Sequence, residues 1–271
     1  MYEVFVVKRI FDIDKYNRYK VLYNEAVNYL NNINPNLDLN KYLKVEKKFK
    51  SKNDILYGLL VSLQNRQMSS NVIGLEKEER KNIFKKLLFD YDSNKILEHY
   101  NCDSLLNTFA NHFNVKNIDS KNNLWRLYAK SVISSCEFIN RFSDVNDFDK
   151  FVSMFDYNEL SSAALPMLLE REIVGLGFPL ACDFLKELGY DKYPKPDVHI
   201  KDIFAFFNLC ENNDYSAYKA VIEMANIVNE TPYKVDKIFW LIGSGSFYLD
   251  NINIGRKKET FINTIKDKDY N

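Results

Sequence analysis

The segment GLGFPLACDFLKELGYDKYPKPDVHI, residues 175–200, holds the side chains and turns best suited to chemistry. Gly175 and Gly177 precede an amphipathic helix that stops at Gly189, and Asp197 follows Pro194 and Pro196. Glycines at i and i+2 let a backbone turn tightly, and Val174 and Leu176 are placed to point inward and pin that turn. Main-chain N–H groups exposed at such a helix start bind an anion, a phosphate for instance, without any cationic side chain. The prolines force an extended entry, which puts Asp197 at the mouth of a helix beginning near Val198. Taken singly, each piece also has an ordinary structural explanation: a glycine turn between packed helices, an N-cap aspartate, a buried histidine at His199.

Together the pieces resemble the helix-hairpin-helix DNA glycosylase superfamily, the group that includes endonuclease III, adenine glycosylase and 8-oxoguanine glycosylase. Its hairpin is followed by a Gly/Pro-rich loop and an invariant aspartate. Here Asp197 lies 20 residues beyond Gly177, the family's separation without a gap, and PDVH is most similar to the 8-oxoguanine branch. LLVSLQNRQMSSNVI resembles the family's first helix and places Gln64 where a side chain fills the hole left by an extruded base. LYAKSVISSCEFI resembles the helix before the hairpin, with Tyr128 and Lys130 on it. The resemblance runs in order over about residues 54 to 207.

That resemblance implies hydrolysis of the N-glycosidic bond of a damaged base in double-stranded DNA. The target base leaves the stack at a cost of a few kcal/mol, recovered through pocket contacts. The amides of Gly175 and Gly177 hold a phosphate, with His199 beside them. Asp197, ionised at a helix start, stabilises an oxocarbenium-like sugar and orients water. Phe239 and Trp240 offer faces for stacking on the base, although a helical aromatic stripe also suits a core. An oxidised purine is the first expected substrate and an alkylated purine the second. Bifunctional members carry a nucleophilic lysine two residues after the second glycine, where this chain has Pro179. Proline fits the first turn of a helix but forms no Schiff base, so lyase activity would need another lysine, with Lys186, Lys195 and Lys201 nearby in sequence. The family's cluster-binding cysteines are absent, so no iron–sulfur cluster is expected. No other cofactor is implied beyond the monovalent cation that the hairpin allows. The rival reading is a non-catalytic DNA-binding protein in which Asp197 only caps its helix; a third is a helical interaction protein that kept the fold.

The elements that must position these residues are helical. DILYGLLVSLQNRQ, with Asp54 as N-cap, begins the first core helix, and helical periodicity recurs at 80 to 98, 103 to 114, 122 to 142, 146 to 155 and 158 to 171. KDIFAFFNL, SAYKAVIEMANIVNE and YKVDKIFWLIGSG read as further buried helices. The opening MYEVFVVKRIFDIDKYN alternates like a short strand and lacks the order of a signal peptide. An all-α protein of two lobes follows, with a helical barrel at 51–190 containing the hairpin at about 164–188. Residues 1–50 and 191–271 form the second lobe, and the active cleft is expected between them. GSGSF at 243–247 follows a helix instead of opening one, which removes a nucleotide-triphosphate loop from consideration.

Composition sets the outer bounds. The 271 residues include 37 Lys and Arg against 37 Asp and Glu, so affinity for nucleic acid must come from local groups and not from an overall basic field. The basic run KYLKVEKKFKSKND suits a solvated surface connection better than a phosphate patch. Cys102, Cys136, Cys182 and Cys210 are too far apart for a Cys-x-x-Cys metal pattern and read as reduced thiols. No apolar run approaches the roughly 18 residues of a membrane span. A cytoplasmic monomer, nucleoid-associated in a prokaryote, is the expectation.

Overall fold

The computed structural model describes residues 13–33, 38–68 and 70–266. Among them the helices are α1 (Ile13–Ile33), α2 (Lys52–Gln64), α3 (Ser70–Ile73), α4 (Glu78–Leu87), α5 (Ser93–His99), α6 (Cys102–Phe113) and α7 (Leu124–Ile139). They continue with α8 (Val145–Ser153), α9 (Glu159–Glu172), α10 (Phe178–Glu187), α11 (Val198–Phe206), α12 (Asp214–Val228), α13 (Pro232–Ser244) and α14 (Lys258–Lys266). Strands β1 (Ser246–Phe247) and β2 (Ile252–Asn253) form one small antiparallel pair. The protein is all-α, as its periodicity requires. The strand expected at the N-terminus falls mostly outside the described residues, and from Ile13 onward the chain is helical. No helix among the described residues is long and apolar enough to cross a membrane.

The chain divides into two compact units, Lys44–Pro196 and Met1–Leu43 with Asp197–Asn271. The seams lie a few residues outside those expected at 50/51 and 190/191, because both flanking segments are tied to the unit that contains the hairpin. The Lys48 N–H donates to the Leu188 carbonyl at 3.2 Å, and Tyr193 is buried in that unit's core. The lysines of the basic run are largely spent on their own surroundings. Lys47 reaches Asp149 at 2.6 Å, Lys48 reaches Glu187 at 3.2 Å, and Lys52 donates to the Phe142 carbonyl at 2.7 Å.

In the Lys44–Pro196 unit, α2 is the central element and packs on α7 and α10. Its apolar stripe, Ile55, Leu56, Leu59, Leu60 and Leu63, is buried with Val132 and Cys136 of α7 and Phe184 and Leu185 of α10. Each such side chain contributes about 1.5–3 kcal/mol relative to exposure. The N-cap of α2 is Ser51, not Asp54. The Ser51 hydroxyl accepts from the Asp54 N–H at 3.2 Å, while the Asp54 carboxylate accepts from the Ser51 N–H at 2.9 Å. This reciprocal box satisfies two donors where a lone cap satisfies fewer. The stretch read as one helix over 80–98 is two. Phe89, Asp90 and Tyr91 adopt positive φ, and Asp92 caps α5 by accepting from the Asn94 and Lys95 N–H groups.

In the other unit, α13 packs against α1, α11 and α12. Ile200, Ile203 and Phe204 of α11 are buried with Val221 of α12 and Ile238, Phe239 and Ile242 of α13. This packing fixes the start of α11, and with it Asp197.

Candidate functional site

The hairpin joins α9 to α10 through residues 173–177. Gly175 has φ +86°, a left-handed conformation that costs other residues about 1–2 kcal/mol. A Cβ there would also lie 2.9 Å from Ser131 Oγ and 3.0 Å from Arg66 Nη1, so the turn requires glycine. The expected inward pair is half right. Leu176 is 2% exposed, but Val174 is 43% exposed. Ile173 takes the inward position instead, because the Leu176 N–H closes the turn onto the Ile173 carbonyl at 3.2 Å and leaves Val174 at its outer bend. What pins Val174 is its main chain: Ser131 Oγ donates to its carbonyl at 2.6 Å, and its N–H donates to Ser134 Oγ at 3.0 Å. Both serines come from α7.

Gly177 differs from Gly175. It is the N-cap of α10 with φ −80° and ψ 163°, which any residue adopts, and no side chain caps the helix there. A Cβ would meet only Pro179 Cδ at 3.9 Å. The fold therefore has room for a side chain that the sequence omits, and the omission leaves the front of the first turn open. The N–H groups of Gly175 and Gly177 have no acceptor among the described residues. Two unpaired donors at the positive end of a helix dipole are a favourable place for an anion.

Pro179 sits in the first turn of α10, as its ring permits. The three lysines near it in sequence are all engaged. Lys186 and Lys195 both face Asp183, at 3.6 Å and 3.1 Å, and Lys201 pairs with Asp214 at 2.7 Å.

At the start of α11, residues 193–197 are irregular, and Asp197 is the N-cap. Its Oδ1 accepts from the His199 N–H at 2.8 Å and the Ile200 N–H at 3.0 Å. Its Oδ2 has no hydrogen-bond partner among the described residues. One oxygen thus holds the helix and the other remains available to a reactant. The His199 ring lies on the α13 backbone at Gly243, where a Cβ would come within 2.3 Å of its Cγ. Burial holds the His199 pKa below its ordinary value; Asp197 opposes this, while Lys258 and Arg256 reinforce it. The imidazole is therefore neutral at pH 7 and brings no positive charge to a phosphate, a weaker role than the one expected for it.

Gln64 also departs from expectation. It is 2% exposed, with its Oε1 accepting from the Leu75 N–H at 2.9 Å and its Nε2 donating to Glu76 at 2.9 Å. An amide used to hold the chain after α3 presents no tip for filling a gap in DNA. Its neighbours Asn65 and Gln67 are exposed, and Arg66 is half-buried beside Gly175. Arg66 is the one cation in the QNRQ turn, which is the signal its sequence carries. Tyr128 is buried and donates to the Leu60 carbonyl at 3.3 Å, whereas Lys130 is exposed.

Of the aromatic pair, Phe239 is 0% exposed and packs edge-on against Phe204 at 5.0 Å, so it is a core residue and no stacking platform. Trp240 is partly exposed and lies 6.0 Å from Tyr248, whose ring is 47% exposed. The Lys237 ammonium approaches Trp240 at 5.2 Å and Tyr248 at 5.4 Å, a cation–π arrangement that fixes both rings.

No protein-family model matches the chain, and no curated protein matches it. Solved structures do. The crystal structure of the 8-oxoguanine DNA glycosylase of Methanocaldococcus jannaschii has a TM-score of 0.52 at 18% identity, covering 84% of this chain and 94% of that one. A crystal structure of the 8-oxoguanine glycosylase/lyase of the same organism, in complex with a 15mer DNA containing 8-oxoguanine, has a TM-score of 0.48 at 18% identity, covering 83% and 95%. This chain, with a glycine turn before α10 and an aspartate cap on α11, shares the fold of the 8-oxoguanine DNA glycosylase of M. jannaschii.

Proposed function

We propose that this protein is a DNA N-glycosylase that releases a damaged base by hydrolysis. Hairpin N–H groups at Gly175 and Gly177 grip a backbone phosphate, and the target nucleotide leaves the stack. The Asp197 carboxylate stabilises positive charge developing on the sugar as the N-glycosidic bond breaks, and water adds at C1′. The products are free base and an abasic sugar. Trp240 supplies a face for the extruded base. The observation that carries this reading is the coexistence, in a chain of this fold, of an uncapped hairpin helix with free donors and a capped helix whose aspartate keeps one oxygen unspent.

An oxidised purine, 8-oxoguanine first, is the proposed substrate, with alkylated purines second. The 8-oxoguanine DNA glycosylase whose fold this chain shares and the Asp-Val-His sequence support this order. Hydrolysis without lyase chemistry is proposed because Pro179 offers no amine and the nearby lysines are held by carboxylates. The second reading, a DNA-binding protein without activity, draws on the cap itself, since holding α11 is a sufficient structural use of Asp197.

The test is release of free base from duplexes containing a panel of single lesions, with borohydride present in a parallel series. Expected are release from the oxidised-purine duplex and no covalent adduct. Release from none of the duplexes, with binding intact, favours the second reading. A trapped adduct overturns the claim of hydrolysis alone and calls for a lysine nucleophile.

A further inference from the structure

We infer that Arg66 is a second phosphate ligand of the hairpin, a side-chain cation that completes the grip made by the main-chain donors. This rests on the proposed DNA-binding role. Arg66 lies in the turn that follows α2, and its Nη1 comes within 3.0 Å of where a Cβ of Gly175 would be. Its stem lines a narrow recess with Leu127, Tyr128 and Ser131 of α7, the helix whose serines clamp the hairpin. The guanidinium is therefore placed by the same helix that places the turn.

What sets Arg66 apart is its lack of an acceptor. The other half-buried arginines of this unit spend their guanidiniums on main-chain oxygens. Arg80 donates to the Val72 and Ile73 carbonyls, the latter at 2.7 Å, and Arg126 donates to the Ile118 carbonyl at 2.9 Å and faces Asp103 at 3.5 Å. Arg66 has no hydrogen bond or ion pair with any described residue. A guanidinium held partly out of water without an acceptor is costly unless an anion arrives from outside, and its planar fork suits a phosphate. The N–H group of Gly175 beside it lacks an acceptor as well, as does that of Gly177 two residues further along the hairpin. The unpaired guanidinium and the two unpaired main-chain donors of the hairpin thus all suit an anion, in a chain with no net charge.

Counterion release gives the test. A protein loses DNA affinity with salt in proportion to the phosphates it neutralises, at about 0.9 log units of binding constant per log unit of salt for each one. Main-chain donors add no counted charge, whereas Arg66 adds one. Binding of a labelled duplex with a single 8-oxoguanine, and of its undamaged counterpart, is measured from about 50 to 200 mM salt. The proteins are the wild type, Arg66→Gln and Arg66→Lys. Expected in Arg66→Gln is a slope shallower by about 0.9, with both duplexes weakened alike. Arg66→Lys is expected to keep the slope. Thermal melting separates a folding defect from a lost contact, and if Arg66→Gln melts early, Arg66→Met, which keeps the stem, takes its place. A folded variant with the wild-type slope overturns the assignment of Arg66 while leaving the glycosylase reading intact. A wild type that binds neither duplex at low salt sinks that reading, and this one with it.

Discussion

Two helix starts in this protein treat their free N–H groups in opposite ways. At α10 the N-cap is Gly177, no side chain caps the helix, and the N–H groups of Gly175 and Gly177 have no acceptor among the described residues. At α11 the N-cap is Asp197, whose Oδ1 takes the N–H groups of His199 and Ile200. Left over there is a carboxylate oxygen instead of a donor. The same backbone geometry therefore leaves unpaired donors in one place and a carboxylate oxygen in the other, the two signs that the proposed reaction calls for. In a chain with no net charge, the two helix starts thus carry local groups of opposite sign.

The contrast can be broken one side at a time. Asp197→Ala removes both jobs of the carboxylate; base release is expected to fall by about 10²–10⁴-fold, and the lost cap costs about 0.5–2 kcal/mol by urea denaturation. Next in size is Gly243→Ala, which drives a methyl into the His199 ring and is expected to cost about 1–3 kcal/mol. Adding His199→Ala should recover part of that loss, since the two positions touch; a strictly additive double variant would show that the contact does not place α11. The hairpin glycines should then separate. Gly175→Ala is expected to destabilise by about 1–2 kcal/mol, whereas Gly177→Ser, with an ordinary φ and room for its side chain, stays within about 0.5 kcal/mol yet weakens duplex binding. Equal binding by Gly177→Ser and the wild type would remove the open helix start from the account.

The smallest effect concerns pH. The folded protein holds His199 below its ordinary pKa of 6.5, so the unfolded chain takes up the proton first on acidification. The contribution of His199 to stability is therefore complete above about pH 6.5 and declines as pH falls toward the folded value. Urea midpoints at about pH 7.5 and 5.5 should diverge more for the wild type than for His199→Gln.

Much of this was legible in the residues themselves. The Gly-x-Gly turn, the proline-led entry and Asp197 are local features, and local backbone chemistry determines where they sit. Helical periodicity likewise located α6, α7, α8 and α9 within a few residues. What was not legible depends on contacts between distant segments. Gln64 carries the polarity of a surface residue, and only the return of Leu75 and Glu76 to the end of α2 turns it into a buried brace. Phe239 and Trp240 are adjacent and chemically alike, yet helix rotation puts one in the core and the other at its edge. Val174 sits at the outer bend of a turn whose backbone two serines of α7 hold, a constraint 40 residues or more away in sequence.

The most direct measurement is single-turnover base release from an 8-oxoguanine duplex by the wild type and Asp197→Asn, over a range of enzyme concentrations. Asparagine caps a helix as well as aspartate does, so the substitution removes the charge and keeps the start of α11. The expected result is a plateau rate about 10²–10⁴-fold lower in Asp197→Asn, with half-saturation at the wild-type concentration. Equal plateau rates for the two proteins would contradict a chemical role for Asp197.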